Sequence, residues 1–161
     1  MLRTIKKGKH RSTCTTNLLY NLSEIETTVC FTDSCKYEGS EQLEEQINKL
    51  FGVTPLFPHR NSIRFGWNYN KIENKINIFS YTYRKGVRDT HRIDRLDLNI
   101  VHHLNIKFDN NYACLYINND HKMSIPYKSY FNFLLNPYFG GKEKAPHDIN
   151  IYLDIDYIAK S

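Results

Sequence analysis

Ser62-Ile63-Arg64-Phe65-Gly66-Trp67-Asn68-Tyr69 is the stretch that decides the fold. Ile63, Phe65, Trp67 and Tyr69 alternate with Ser62, Arg64, Gly66 and Asn68. Successive side chains of a strand point to opposite faces, so this pattern reads as a strand with one buried face. A polar turn over 70–74 follows. Then Ile76, Ile78, Ser80 and Thr82 alternate with Asn77, Phe79, Tyr81 and Tyr83, up to Lys85-Gly86. Two such runs around a short turn predict an antiparallel pair. Both faces of the second run carry large groups. It is therefore a central strand, or its aromatic face lines a cleft.

The same periodicity extends in both directions. Thr27 to Thr32 is rich in β-branched and aromatic residues and reads as a strand. Further strands are expected at 90–97, 100–108, 112–118, 121–126, 130–135 and 148–157. In the last, Ile149, Ile151, Leu153, Ile155 and Tyr157 alternate with polar residues and Tyr152. Asn110-Asn111 and Asn118-Asn119 mark turns. One helix is expected over Ser40–Phe51. Ser40 caps it, Leu43, Ile47 and Leu50 fall at helical spacing, and Gly52 stops it. Its polar face (Glu44, Glu45, Asn48, Lys49) lays it across a sheet. About nine short strands and one short helix make an all-β, antiparallel sandwich.

The chain has 161 residues, 40% hydrophobic and 24% charged, which suits one globular domain. Twelve Tyr and nine Phe favour strands over helices. The formal charge is +5, and it is uneven. Arg3, Lys6, Lys7, Lys9 and Arg11 carry no acid among them, leaving 17 of the 22 basic residues to balance the 17 acidic ones. The expected organisation is a basic N-terminal arm and lead-in over 1–25, then a single sandwich over 26–161. The arm is a solvated segment, or it docks on phosphate or an acidic partner. No apolar run approaches the roughly 20 residues of a membrane span, so no membrane contact is expected. The basic start lacks a following apolar stretch, so the expectation is a non-secreted, cytoplasmic or virion protein. Cys14, Cys30, Cys35 and Cys114 are accordingly expected as reduced thiols. Cys30 and Cys35 have a zinc-like gap, but no second half-site follows, so neither metal nor cofactor is expected.

Three segments occur together: Ile47-Asn48-Lys49-Leu50-Phe51-Gly52, Asn61-Ser62-Ile63-Arg64-Phe65-Gly66-Trp67, and Pro137-Tyr138-Phe139-Gly140-Gly141 with Ala145-Pro146-His147-Asp148. The set resembles a family of small, uncharacterised single-domain proteins of Bacteroidetes and of viruses, phages included. The resemblance covers about residues 45–155 and implies a concanavalin-like or jelly-roll sandwich, with no assigned activity. Gly66 in mid-strand permits a close approach of neighbouring backbone or ligand. Pro137 and Gly140-Gly141 make a corner, where His147 either pins the turn or joins a site.

Catalytic signatures are weak. A retaining glycosidase on such a scaffold needs two carboxylates on one strand face, about 5 Å apart. Asp94 and Asp97 have odd separation, and Asp154 and Asp156 lie at the chain's end. A polysaccharide lyase would use Arg64 with Tyr81 or Tyr83, but Gln46-Ile47-Asn48 holds Asn where such enzymes need His. No catalytic residue is assigned. Two functions remain. One is a recognition module for a glycan or a protein, with Arg64, Asn68, Phe79, Tyr81, Tyr83, Tyr138 and His147 as its ligand-binding residues. The other is a structural virion protein, contacting other subunits or copies of itself through its Tyr-rich surface.

Overall fold

The computed structural model describes residues 1–12, 17–38 and 46–160. Two antiparallel sheets of six strands face each other. Their strands are β1 (Leu2–Ile5), β2 (Leu18–Tyr20), β3 (Leu22–Phe31), β4 (Asn48–Thr54), β5 (Ser62–Asn70), β6 (Lys75–Arg84), β7 (Val87–Leu96), β8 (His102–Asp109), β9 (Tyr112–Ile117), β10 (Asp120–Pro126), β11 (Phe131–Leu135) and β12 (Ile149–Ala159). Sheet I runs β1-β12-β3-β8-β9-β10 and sheet II runs β2-β11-β4-β5-β6-β7. The architecture is an all-β, antiparallel sandwich, as the alternating pattern indicates, and of the concanavalin-like type that the resemblance implies.

The hairpin read from 62–83 is the centre of sheet II. Its register pairs Trp67 with Ile78 and Arg64 with Tyr81. Ile63, Phe65, Trp67 and Tyr69 point inward as expected, and Trp67 has no exposed surface. Its indole packs against Phe31 of β3 at 5.4 Å between ring centroids and against Tyr37 and Phe139. One buried ring thus contacts both sheets and two connecting segments.

The asparagine surplus has a backbone cause. Asn110 and Asn111 have φ of 48° and 64°, and Asn118 and Asn119 have 49° and 68°. Two consecutive positive φ values make a tight hairpin turn of the handedness that twisted strands need, and asparagine tolerates them best after glycine.

Two expectations are corrected. The described part of the expected Ser40–Phe51 helix is not helical; residues 40–45 lie outside the described residues, and Asn48–Thr54 is β4. A bulge between Lys49 and Phe51 turns both Leu50 and Phe51 inward. That breaks the two-residue period and leaves a spacing that imitates a helix. The lone helical element among the described residues is a 3-10 turn, Asp33–Cys35. The lead-in over 1–25 is also not a separate arm. β1 pairs with β12, β2 pairs with β11, and β3 begins at Leu22. Within this segment Lys6 lies 3.3 Å from Asp148, and the Lys7 amide donates to the same carboxylate.

Cys30, Cys35 and Cys114 are free thiols, and Cys14 lies outside the described residues. Burial pushes the Cys35 thiol up to about 12, which marks it as a core residue rather than a reactive one.

Candidate functional site

The outward face of sheet II carries an open cleft of about 660 Å³. Five adjacent strands build it. β5 contributes Arg64, and β6 contributes Tyr81 and Tyr83, since alternate residues of a strand share a face. β4 contributes Lys49 and β7 contributes Arg88, which lies opposite Tyr83. β11 ends in Leu134-Leu135, and the chain continues through Pro137 to Tyr138 on the rim. His59, in the loop between β4 and β5, stacks on Tyr83 at 5.4 Å and 10° between planes.

Gly52 explains how Arg64 reaches this cleft. The two residues are partners across β4 and β5. A Cβ on Gly52 would sit 2.9 Å from Arg64 Cγ and 2.0 Å from the Ile63 carbonyl oxygen. The missing side chain is therefore the space that the Arg64 methylenes occupy. Gly66 plays the matching part beside it. There a Cβ would sit 2.5 Å from Ile47 Cγ2, the close approach expected for that position.

Tyr138 is clamped from both sides. Its backbone pairs with Lys49 through two hydrogen bonds of 2.8 and 3.0 Å, and it also bridges to Arg11. Lys49 Nζ stands 5.0 Å from the Tyr81 ring centroid and 5.5 Å from that of Tyr138, and Arg11 Cζ stands 5.6 Å from the latter. These are cation–π distances. Lys49 Nζ also donates to the Gly140 carbonyl at 2.8 Å.

Four cations therefore share one cleft, and no Asp or Glu is among its described lining residues. The electrostatic consequence falls on Lys49. Burial lowers its ammonium to about 8, and the charges of Arg64 and Arg88 push the same way. Between about 8 and the ordinary value of 10.5 the unfolded chain holds a proton there that the folded chain does not. The unliganded fold therefore gains stability as pH rises through that window. Burial also depresses Arg64, which is only 8% exposed, and its Nε has no hydrogen-bond partner. Tyr81 is raised, chiefly by burial.

Of the residues expected to bind ligand, Arg64, Tyr81, Tyr83 and Tyr138 come together here. Tyr81 forms the floor. It is 4% exposed and packs with Ile47 and Phe79, so its truncation would damage the fold as well as the cleft. Asn68 and Phe79 are on the same face of sheet II but are buried outside the cleft, and Asn77 Nδ2 donates to Asn68 Oδ1 at 2.9 Å. His147 lies elsewhere, in a groove beside Tyr37 and Tyr69, where its Nε2 donates to the Ser34 carbonyl at 2.6 Å. That bond pins the turn. Lys49, Arg88, Arg11 and His59 were not expected. Lys49 was hidden by the helical reading, and Arg11 by the reading of the N-terminus as an arm.

The two-carboxylate alternative has no counterpart among the described residues of this cleft. Asp154 and Asp156 are exposed on β12 of sheet I, while Asp94 pairs with Lys122 and Asp97 with Lys75. No described carboxylate pair faces the cleft, as two-carboxylate glycoside hydrolysis requires. Asn48 is turned into the core, where it donates to Tyr37 Oη at 2.9 Å and accepts from the Gly140 amide at 2.7 Å. It cannot stand in for a catalytic histidine.

No family model matches the chain, and no curated protein matches it. Solved structures do resemble it. A laminarinase from Flavobacterium sp. UMI-01 superposes with a TM-score of 0.63 at 15% identity, covering 99% of this chain and 78% of that one. The alginate lyase AlyC3 superposes with a TM-score of 0.62 at 10% identity, covering 98% and 74%. A family 16 glycoside hydrolase of Bacteroides ovatus, solved with a mixed-linkage glucan product, gives 0.58 at 13% identity, covering 98% and 80%. At these identities the likeness establishes the sandwich fold. The comparisons lend no support to a virion role.

Proposed function

We propose that this chain is a non-catalytic recognition module that holds a glycan in the cleft of sheet II. The observation that carries this reading is the cleft itself. Tyr83, Tyr138 and His59 offer ring surface above the buried ring of Tyr81, beside the N–H donors of Lys49, Arg64 and Arg88. Ring faces cover the apolar C–H side of a sugar, and guanidinium and ammonium groups donate to its oxygens. Structures with this sandwich include proteins named for laminarin, alginate and mixed-linkage glucan, which supports a saccharide as the ligand class. The absence of a facing carboxylate pair among the described residues favours binding over hydrolysis.

A calorimetric titration with a panel of oligosaccharides tests this. Tyr138 is half-buried on the rim, so Tyr138→Ala should weaken binding by about 1–2 kcal/mol, near the level of an interface anchor. Its melting temperature should stay close to that of the parent chain. Binding that survives Tyr138→Ala and Tyr83→Ala unchanged would place the ligand elsewhere.

A further inference from the structure

We infer that the ligand of this cleft is an acidic glycan, one whose sugars carry carboxylate or sulfate groups. This rests on the glycan-recognition reading above and narrows it to a chemical class.

The argument starts from charge balance. Outside the first eleven residues the chain holds equal numbers of basic and acidic residues, so the protein is not basic in general. Elsewhere Lys6 pairs with Asp148, Lys36 with Asp33, Lys71 with Glu38, Lys75 with Asp97, Arg95 with Glu73 and Lys122 with Asp94. Arg11, Lys49, Arg64 and Arg88 are instead crowded together. They converge on one cleft, and among the described residues none of the four pairs with a carboxylate. Burying a cation beside other cations is unfavourable unless an anion completes the site.

Arg64 is the sharpest case. It is nearly buried, and its Nε lacks a partner. A planar guanidinium aimed into a cleft is suited to the two oxygens of a carboxylate or sulfate. Lys49 adds a compact charge from β4, held over the Tyr81 ring. The groups that face Lys49 are Arg64 on β5, Tyr81 on β6, Arg88 on β7, Tyr138 and the Gly140 carbonyl after β11, Arg11 from the N-terminal segment, and His59 on the far rim. None of these described groups is anionic at neutral pH, since Tyr81 is raised. Among the described residues, an anion would be the first opposite charge that Lys49 meets. The rings of Tyr83 and Tyr138 take the sugar faces between the charged groups. Four cations line this one cleft, a span that fits a few sugar units better than a nucleic-acid backbone.

The test is calorimetry on the full chain with four probes: a polyuronate oligosaccharide, a sulfated oligosaccharide, a neutral β-glucan oligosaccharide of equal length, and a single-stranded oligonucleotide. At least one acidic saccharide should bind about tenfold or more tighter than the neutral one, with affinity falling as salt rises. Which of the two binds tighter tells carboxylate from sulfate. Arg88→Gln should lower that affinity severalfold at an exposed position that leaves the fold intact. Lys49→Met should lower it too, while raising the melting temperature, because it removes a desolvated charge among like charges. Affinity should weaken as pH rises through about 8, where Lys49 loses its proton, and Lys49→Met should abolish that dependence. Equal affinity for the neutral oligosaccharide overturns the acidic-glycan inference and leaves the glycan reading standing. Failure of every saccharide to bind a folded chain overturns both. Tighter binding of the oligonucleotide overturns both in favour of a nucleic-acid ligand.

Discussion

Trp67→Ala should destabilise the fold by about 3–5 kcal/mol, read as a lowered urea midpoint with an unchanged slope. That is a large share of the roughly 5–15 kcal/mol that holds a domain of this kind together. The size follows from where the ring sits. Trp67 belongs to β5 at the centre of sheet II, and its centroid lies 5.4 Å from Phe31 of sheet I. It also meets Tyr37 at 6.1 Å and Phe139 at 6.3 Å, both outside the strands. Truncation opens a cavity bounded by strand backbone on two sides, which cannot collapse to fill it. Trp67→Phe should cost distinctly less, because a ring remains between the sheets. A loss below about 1 kcal/mol for the alanine variant would show that the two sheets are not joined through this residue.

Gly52→Ala should be almost as damaging, at about 3 kcal/mol or more, from a single added methyl. The clash is with backbone. The new Cβ would lie 2.0 Å from the Ile63 carbonyl oxygen and 2.6 Å from Arg64 Cα. Neither atom can rotate away, so β4 and β5 must separate where their ladder is paired. The variant should also lose ligand affinity, because the Arg64 methylenes occupy that space. Gly86→Ala is the control. Gly86 has a φ of +80° and nothing within 4 Å of an added Cβ. It should cost only about 1 kcal/mol, the penalty of a left-handed backbone without a clash. Equal losses at the two glycines would mean that Gly52 is constrained by its conformation and not by the close approach of β5.

The fold was legible where alternation was unbroken. Ile63 to Tyr69 and Ile149 to Leu153 each alternate with their apolar side chains turned inward, although the other face of β5 is buried as well, and the Asn-Asn turns stand between the strands read around them. It was illegible at β4, where the bulge after Lys49 turns two consecutive residues inward and imitates a helical spacing. It was also illegible at β1 and β2, which are too short to show a period. The cleft divides the same way. Arg64, Tyr81 and Tyr83 lie on one hairpin, so local alternation placed them on one face. Lys49, Arg88 and Arg11 reach the cleft from other strands and segments, and only the pairing order of sheet II brings them in. Asn68 and Phe79 show the limit of the method: alternation assigns a face, and it does not say which end of the face is open.

The most direct measurement of the central claim is chemical-shift mapping by NMR on the isotopically labelled full chain, titrated with a polyuronate oligosaccharide. The account expects shifts concentrated at the Arg64 Nε–H, the backbone of Lys49, the Tyr81–Arg88 hairpin end and the Tyr138 ring. Shifts centred on the outer face of β8–β10 in sheet I, or around the exposed rings of Tyr20 and Tyr130, would contradict it.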